Sequence, residues 1–384
     1  MKMYKILKIF FASAALVFAV QAAHADALTT PSMVGPLTAN PDPFHFDAGP
    51  LGPIYVTGAV TGLALWQDNV APGDESSCVD FSNAQIFVQK TDGWFQFFVQ
   101  AGGYSLPSLG VPYVRATTIT DNTYGWLPVA YVKLAPTDNF SIQVGKLPTL
   151  LGAEYTFTYE NMNIERGLLW NQENAITRGV QANYSTGPFA FSLSWNDGYY
   201  SNHYTSISGT ATYTIDSSNN IMLMGAGNTQ RTNVSTAATP LAQNNGALFG
   251  LMYTHSAAQW IVQPFVQYNV VPKDLRFGFG HEASAFGAGL LVSYAFTPNF
   301  SLAGRAEYID SSGSLANGAP SLLYGPGSNA WSITLTPTYQ YKVFYVRGDL
   351  SYVGAGGTTP GFALGPNFTN TSQTRALLEA GVLF

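Results

Sequence analysis

The sequence predicts an all-β fold, namely a transmembrane antiparallel β-barrel of about 16 strands with short periplasmic turns and long external loops. Three observations predict it: the last strand, the scarcity of charge and the sorting of the connections by length. In the last strand every second residue from Ala376 to Phe384 is apolar, while Arg375 and Glu379 lie on the other face. Because successive side chains of a strand point to opposite faces, one face suits lipid. The alternative is the edge strand of a soluble sandwich.

The composition is poor in charge and rich in aromatic residues. Charged residues make up 10% of the chain, against about 25% in soluble domains. Aromatic residues make up 14%, with 22 Tyr and 25 Phe. A soluble protein with so little charge would struggle to coat its surface. A barrel in a membrane needs no such coat, and it places aromatic girdles at both interfaces.

The connections between the predicted strands alternate in length. The strands are predicted at 54–66, 80–91, 94–105, 124–135, 140–149, 177–186, 189–199, 206–216, 220–228, 245–257, 259–271, 284–297, 299–310, 329–341, 343–354 and 373–384. Short turns follow the even-numbered strands, and long loops follow the odd-numbered ones. A membrane barrel sorts its connections in this way, and an even strand number places both termini in the periplasm. A soluble sandwich has no reason to do so.

The N-terminus has the pattern of a secretory signal peptide over residues 1–25. A basic start is followed by an apolar run at 9–20 and by Ala23-His24-Ala25, which fits a small-x-small cleavage site. Cleavage would remove three lysines and no acid, so the mature chain is more acidic than the formal net charge of −6. That charge argues against a nucleic-acid partner. Residues 26–53 are rich in proline and are expected to be an extended periplasmic lead-in, with insertion into the lumen as the alternative. The barrel is then expected to occupy 54–384.

A barrel of this size encloses an aqueous lumen, and polar side chains in the strands are expected to line it. A charge that faces lipid at mid-depth costs about 2–4 kcal/mol, so the strand register should turn charged residues inward. The predicted lumen-wall charges are Lys133, Arg305, Glu307, Arg347, Asp349, Arg375 and Glu379. Amides predicted to accompany them are Gln96, Gln100, Gln181, Asn183, Gln263 and Gln267. These charges either influence permeation or merely satisfy one another within the wall.

The third long loop, at 150–176, holds dense charge for a chain that has little. Its charged residues, with one arginine just beyond it, are Glu154, Glu160, Glu165, Arg166, Glu173 and Arg178. In sixteen-stranded porins the third external loop folds into the barrel and narrows it. The hypothesis is that the acids of this loop line a constriction that faces arginines on the wall, so that charge and width select solutes. The alternative is a solvated surface loop.

Three runs around this loop resemble a known family. They are GKLPTL at 145–150, NMNIERGLL at 161–169 and TRGV at 177–180, followed by SWNDG at 194–198. Together they resemble the putative β-barrel porin-2, or OmpL-like, family, and the resemblance extends from about Ile54 to the C-terminus. It implies an outer-membrane channel of a Gram-negative bacterium, with no particular solute and no settled functional residues.

The expected function is therefore passive diffusion of small hydrophilic solutes and ions through an outer-membrane porin. The alternatives are a structural or adhesive barrel without conduction, or an outer-membrane enzyme. The histidines of the mature chain, His45, His203, His255 and His281, are scattered, so no catalytic residue, metal site or cofactor is expected. The single Cys78 excludes an intrachain disulfide, and it is either an incidental residue or a reactive thiol.

The expected partners follow from the barrel and from the resemblance. Lipid of the outer membrane should surround the strands, and small hydrophilic solutes should enter the lumen. A chain that ends on Phe384 resembles outer-membrane barrels whose C-terminal aromatic residue is the assembly signal for the barrel-assembly machinery. A homotrimer is expected only by analogy with sixteen-stranded porins.

Overall fold

The computed structural model of the chain describes residues 33–384. The predicted signal peptide and the first residues of the lead-in lie outside the described residues. The described chain forms a closed barrel of sixteen antiparallel strands, as the sequence predicted. No helix within residues 33–384 has the length and apolarity to cross a membrane.

The short strand β1 (Phe44–Asp47) precedes the barrel and pairs with the start of its first strand. The barrel strands are β2 Pro53–Gln67, β3 Ser77–Lys90, β4 Phe95–Tyr104, β5 Val129–Thr137, β6 Phe140–Pro148, β7 Ile176–Thr186, β8 Phe189–Asn196, β9 Ser206–Thr214, β10 Asn219–Asn228, β11 Ala247–Ala257, β12 Trp260–Val271, β13 Ala283–Thr297, β14 Phe300–Ser311, β15 Asn329–Tyr341, β16 Phe344–Gly356 and β17 Ser372–Leu383. The helices are α1 Ala116–Asn122 and α2 Leu241–Asn244.

The predicted strands and the sorting of loops are confirmed, with one sizeable shift. Every short connection leaves one edge of the barrel, here called the turn edge, and every long loop leaves the other, the loop edge. The strand predicted at 124–135 begins only at Val129. The preceding residues form α1 and a turn in which Gly125 has a left-handed φ of 72°, which interrupts the extended backbone.

The outer surface of the barrel is apolar at mid-height and aromatic near both edges. Exposed leucines occupy the middle of several strands, as in Leu193, Leu223, Leu335 and Leu378. Exposed aromatic residues next to the turn edge are Trp260, Phe296, Phe300, Tyr341 and Phe344. Those next to the loop edge are Trp66, Trp195, Trp331 and Tyr352. This arrangement suits a bilayer, with aromatic rings at the two interfaces.

The last strand closes the barrel against the first. β17 pairs with β2 from Arg375 opposite Gln67 to Leu383 opposite Ala59. The terminal Phe384 N–H donates to the Gly58 carbonyl at 3.0 Å, and the Gly58 N–H donates to the Phe384 carbonyl at 2.9 Å. This pairing was expected, because an open strand edge would leave unpaired backbone groups in lipid.

Gly58 is needed at this seam because the terminal ring lies on it. A Cβ at Gly58 would lie 2.5 Å from the Phe384 ring and 2.7 Å from the Gln85 carbonyl oxygen. Gly58→Val is therefore expected to lower the amount of folded barrel in the outer membrane, measured by heat-modifiable electrophoretic mobility. Gly304→Val is the control, because a Cβ there meets Leu335 at an ordinary 3.6 Å. Equal amounts of the two folded variants would contradict this role of Gly58.

Candidate pore constriction

The loop at 149–175, between β6 and β7, enters the barrel and is called the inserted loop below. Its apolar side chains Met162, Ile164, Leu168 and Leu169 are fully buried inside the barrel. Its polar and charged groups contact the inner face of β14–β17, where charged side chains alternate with outward apolar ones. The loop therefore lies against one side of the lumen.

Arg305 and Glu307 on β14 hold the two arms of the inserted loop. The Arg305 guanidinium donates to a carboxylate oxygen of Glu154 at 2.6 Å and to the backbone carbonyl of Glu165 at 2.6 Å. The Glu307 carboxylate accepts the backbone N–H groups of Leu168 at 2.8 Å and Leu169 at 3.2 Å. Since all of these groups are buried, each charge-assisted bond fixes the loop at a defined depth.

Arg347 on β16 and Glu379 on β17 form the second attachment. Their side chains pair at 2.7 Å. Arg347 also donates to the backbone carbonyls of Asn161 at 2.9 Å and Thr158 at 2.5 Å. The Thr158 hydroxyl donates to Glu379 at 2.6 Å. One guanidinium thus satisfies a wall carboxylate and two loop carbonyls that would otherwise be buried without partners.

Arg375 on β17 and Asp349 on β16 form the third attachment, centred on Glu165. Arg375 pairs with the Glu165 carboxylate at 3.0 Å, and the Asp349 carboxylate accepts the Glu165 N–H at 2.9 Å. Arg375 also donates to the Ser108 carbonyl at 2.6 Å, so the preceding long loop is joined to the same group. In the first and third attachments the loop acids Glu154 and Glu165 contact wall arginines directly rather than across an opening.

The other predicted loop charges do not pair with the wall. Glu160 accepts the Phe157 N–H at 2.8 Å. Neither Glu160 nor Glu173 has an ion-pair partner among residues 33–384. The guanidinium of Arg166 has no hydrogen-bond partner there and lies 5.3 Å from the Trp170 ring centre. Arg178 pairs with Asp197 at 2.7 Å near the loop edge, so it stabilises an external loop.

A polar cavity of about 280 Å³ lies on the other side of the inserted loop, against β3–β7. Its wall includes the predicted lumen residues Lys133, Gln96 and Gln181, and Lys90 near the turn edge. The inserted loop contributes Thr149, Leu150 and Tyr155 to its lining. The described lumen thus has a filled side with dense charge against β14–β17 and, against β3–β7, a cavity lined mainly by amides, lysines and aromatic rings.

The fold agrees with comparisons to known proteins. Residues 53–384 match the family model described as putative beta-barrel porin-2, OmpL-like. The chain belongs to this family. No curated protein matches it in sequence.

Solved outer-membrane proteins share the fold of this family member at low sequence identity. An anion-selective porin from Comamonas acidovorans has a TM-score of 0.60 at 12% identity, covering 86% of this chain and 99% of that chain. OmpT of Vibrio cholerae has a TM-score of 0.58 at 10% identity, with 89% and 100% covered. The channel DcaP of Acinetobacter baumannii has a TM-score of 0.56 at 11% identity, with 86% and 97% covered. These likenesses establish the porin-like barrel fold.

Residues 33–38 of the N-terminal lead-in lie inside the barrel of this porin-family chain. The Val34 N–H donates to the Glu160 carbonyl of the inserted loop at 2.9 Å. Leu37 is only 2% exposed and lies among inward side chains that include Phe87 and Tyr345. Gln340 on β15 exchanges two hydrogen bonds with the backbone of Thr38. Of the two alternatives weighed for the lead-in, residues 33–38 follow insertion into the lumen.

Sequence reasoning missed the neutral residues that complete these attachments. Asn163 donates to Thr336 on β15 at 2.6 Å, and the Ser351 hydroxyl donates to Glu165 at 2.9 Å. Nothing in their local pattern distinguishes them from other lumen hydroxyls and amides. For the lead-in a signal was present, because Met33, Val34 and Leu37 are apolar within a proline-rich stretch.

Proposed function

We propose that this protein is a porin of a Gram-negative outer membrane that allows passive diffusion of small hydrophilic solutes and ions. The observation that carries the proposal is the divided lumen. The inserted loop is attached to β14–β17, and a polar cavity remains between the loop and β3–β7. A water-filled path through this cavity, called the lane below, would be lined mainly by amides, lysines and aromatic rings. Such walls would replace part of a solute's hydration without binding it tightly, which favours conduction.

The inserted loop is the proposed constriction. Glu154 and Glu165 act as its anchors, since both pair with wall arginines. Glu160, Arg166 and Glu173 have no ion pair with the wall among the described residues. The width of the lane would then be set by how firmly the anchors hold the loop, and the exclusion of large solutes would follow from that width.

Conductance in a planar lipid bilayer tests the channel. Purified, refolded protein with heat-modifiable mobility is expected to give discrete conductance steps, and the same preparation after boiling should give none. A fully folded preparation that inserts without conductance steps would overturn the porin assignment.

A structural or adhesive barrel is the second candidate, and one observation favours it. The inserted loop and residues 33–38 together fill much of the lumen, with Val34 bonded to the Glu160 carbonyl. A barrel closed by its own loops would fold and insert normally without conduction. The bilayer measurement therefore separates the two candidates directly.

The proposed partners remain those expected from the sequence. Lipid would surround the outer surface, and the barrel-assembly machinery would read the strand that ends at Phe384. A homotrimer is proposed by analogy with porins. Its mass in mild detergent, compared with the mass of the boiled monomer, would test that state.

A further inference from the structure

The three wall arginines on the filled side of the lumen each form a close ion pair with an acid. Arg305 pairs with Glu154, Arg347 with Glu379 and Arg375 with Glu165, in each case with both side chains buried. A close ion pair presents only a dipole to its surroundings, so its potential falls off faster with distance than that of a single charge. The residues that dominate the charge content of the lumen are therefore poorly placed to select ions.

Lys133 is the charged residue with a different environment. It lies on β5 opposite Gln96 on β4 and Gln143 on β6. Its strand neighbours Val132 and Leu134 point outward and are exposed to the lipid side. The alternation therefore directs Lys133 into the lumen, where it forms part of the wall of the cavity.

The charge of Lys133 is not compensated by a neighbouring acid. It has no ion-pair partner within residues 33–384, whereas Lys90, the other lysine of the cavity, pairs with Asp92 at 2.6 Å. The described wall of the cavity includes no Asp or Glu. The unpaired loop acids Glu160 and Glu173 are 7% and 8% exposed and do not line it.

We propose that the lane favours small anions over cations and that Lys133 is the residue that sets this selectivity. This inference rests on the proposed function as a diffusion channel. A single uncompensated charge in a narrow lane with protein walls acts at close range on every ion that passes, because the low-dielectric wall concentrates its field. The amides beside it can donate hydrogen bonds to an anion, whether chloride or a small carboxylate.

The test is the reversal potential of the reconstituted channel under a KCl gradient. Wild type is expected to be anion-selective. Lys133→Gln should lower the chloride-to-potassium permeability ratio by up to about 25-fold, because one unit charge about 4 Å away in water favours a passing chloride about five-fold and disfavours a passing potassium ion by the same factor. Lys133→Glu should lower it further and reverse the preference. Lys342→Gln is the matched control, because Lys342 is exposed in a turn outside the lumen.

The outcomes separate this inference from the proposed function. Conductance with cation selectivity in wild type, or an unchanged ratio in Lys133→Gln and Lys133→Glu, would overturn the role of Lys133 and leave the channel intact. An equal shift in Lys342→Gln would also overturn it, since the effect would then follow overall charge. Folded protein without conductance in all four versions would overturn the channel itself, and the selectivity with it.

Discussion

Replacing Arg347 by alanine is expected to release the inserted loop from the wall and to raise single-channel conductance. The substitution leaves Glu379 buried without its ion pair and the carbonyls of Thr158 and Asn161 without this donor. Removing one partner of a buried pair costs about 3–5 kcal/mol. Because the strands remain paired by backbone hydrogen bonds, the substitution should weaken the attachment of the inserted loop to the wall more than it destabilises the barrel. In planar-bilayer recordings, the folded variant should give larger and noisier conductance steps than wild type.

Arg276→Ala is the matched control for Arg347→Ala. Arg276 also pairs with an acid, Asp274 at 2.6 Å, but its side chain is 72% exposed in an external loop. Exposed pairs contribute about 0–1 kcal/mol, so conductance and thermal stability should stay close to wild type. If Arg347→Ala conducts as wild type does and melts at the same temperature, the attachment at Arg347 does not hold the loop.

Replacing Leu37 by aspartate is expected to detach the N-terminal segment from the lumen and to raise conductance. Leu37 is buried among inward apolar side chains, and burial of a leucine contributes about 1.5–3 kcal/mol. An aspartate at this position would lose the stabilisation from apolar burial. Its carboxylate would also be unfavourable inside the protein, because burial removes its hydration, unless the segment moved into water. The release of residues 33–38 would then widen the path beneath the inserted loop. Single-channel conductance and protease accessibility of the N-terminus would report it.

Leu51→Asp is the control for the N-terminal segment. The same substitution is made in the same lead-in, but Leu51 is 45% exposed and lies outside the barrel, next to β2. It should change neither conductance nor proteolysis. Equal conductance in wild type and Leu37→Asp, with the segment released to protease, would mean that the segment does not obstruct the lane.

The strands, their number and the inward direction of their charges could be predicted from local pattern alone. Arg347 and Asp349 alternate with Val346 and Leu350, and lipid on one side with water on the other permits only one register. The same alternation places Lys133 inward. The start of β5 was misjudged because the residues before Val129 are apolar and aromatic, as in a strand, while α1 and Gly125 turn the chain there.

The contacts within the lumen could not be predicted in the same way. The sequence pointed to the charged loop at 150–176. It did not predict that Glu165 pairs with Arg375 or that Glu160 has no arginine partner among the described residues. Thr158 and Glu379 are 221 residues apart and bond at 2.6 Å. Such pairs depend on how the loop and the lead-in pack inside the closed barrel. The local alternation of apolar and polar residues contains no information about that packing.

The sequence by itself determined the barrel, its closure by the strand ending at Phe384, and which side chains point into the barrel. These features follow from an alternation of period two that the bilayer imposes on every strand. Only the tertiary structure decided that the wall arginines are paired with loop and wall acids, that residues 33–38 enter the lumen, and that Lys133 is left uncompensated. The physical reason is that charge pairing depends on distances between segments remote in sequence, and those distances exist only after the barrel has closed.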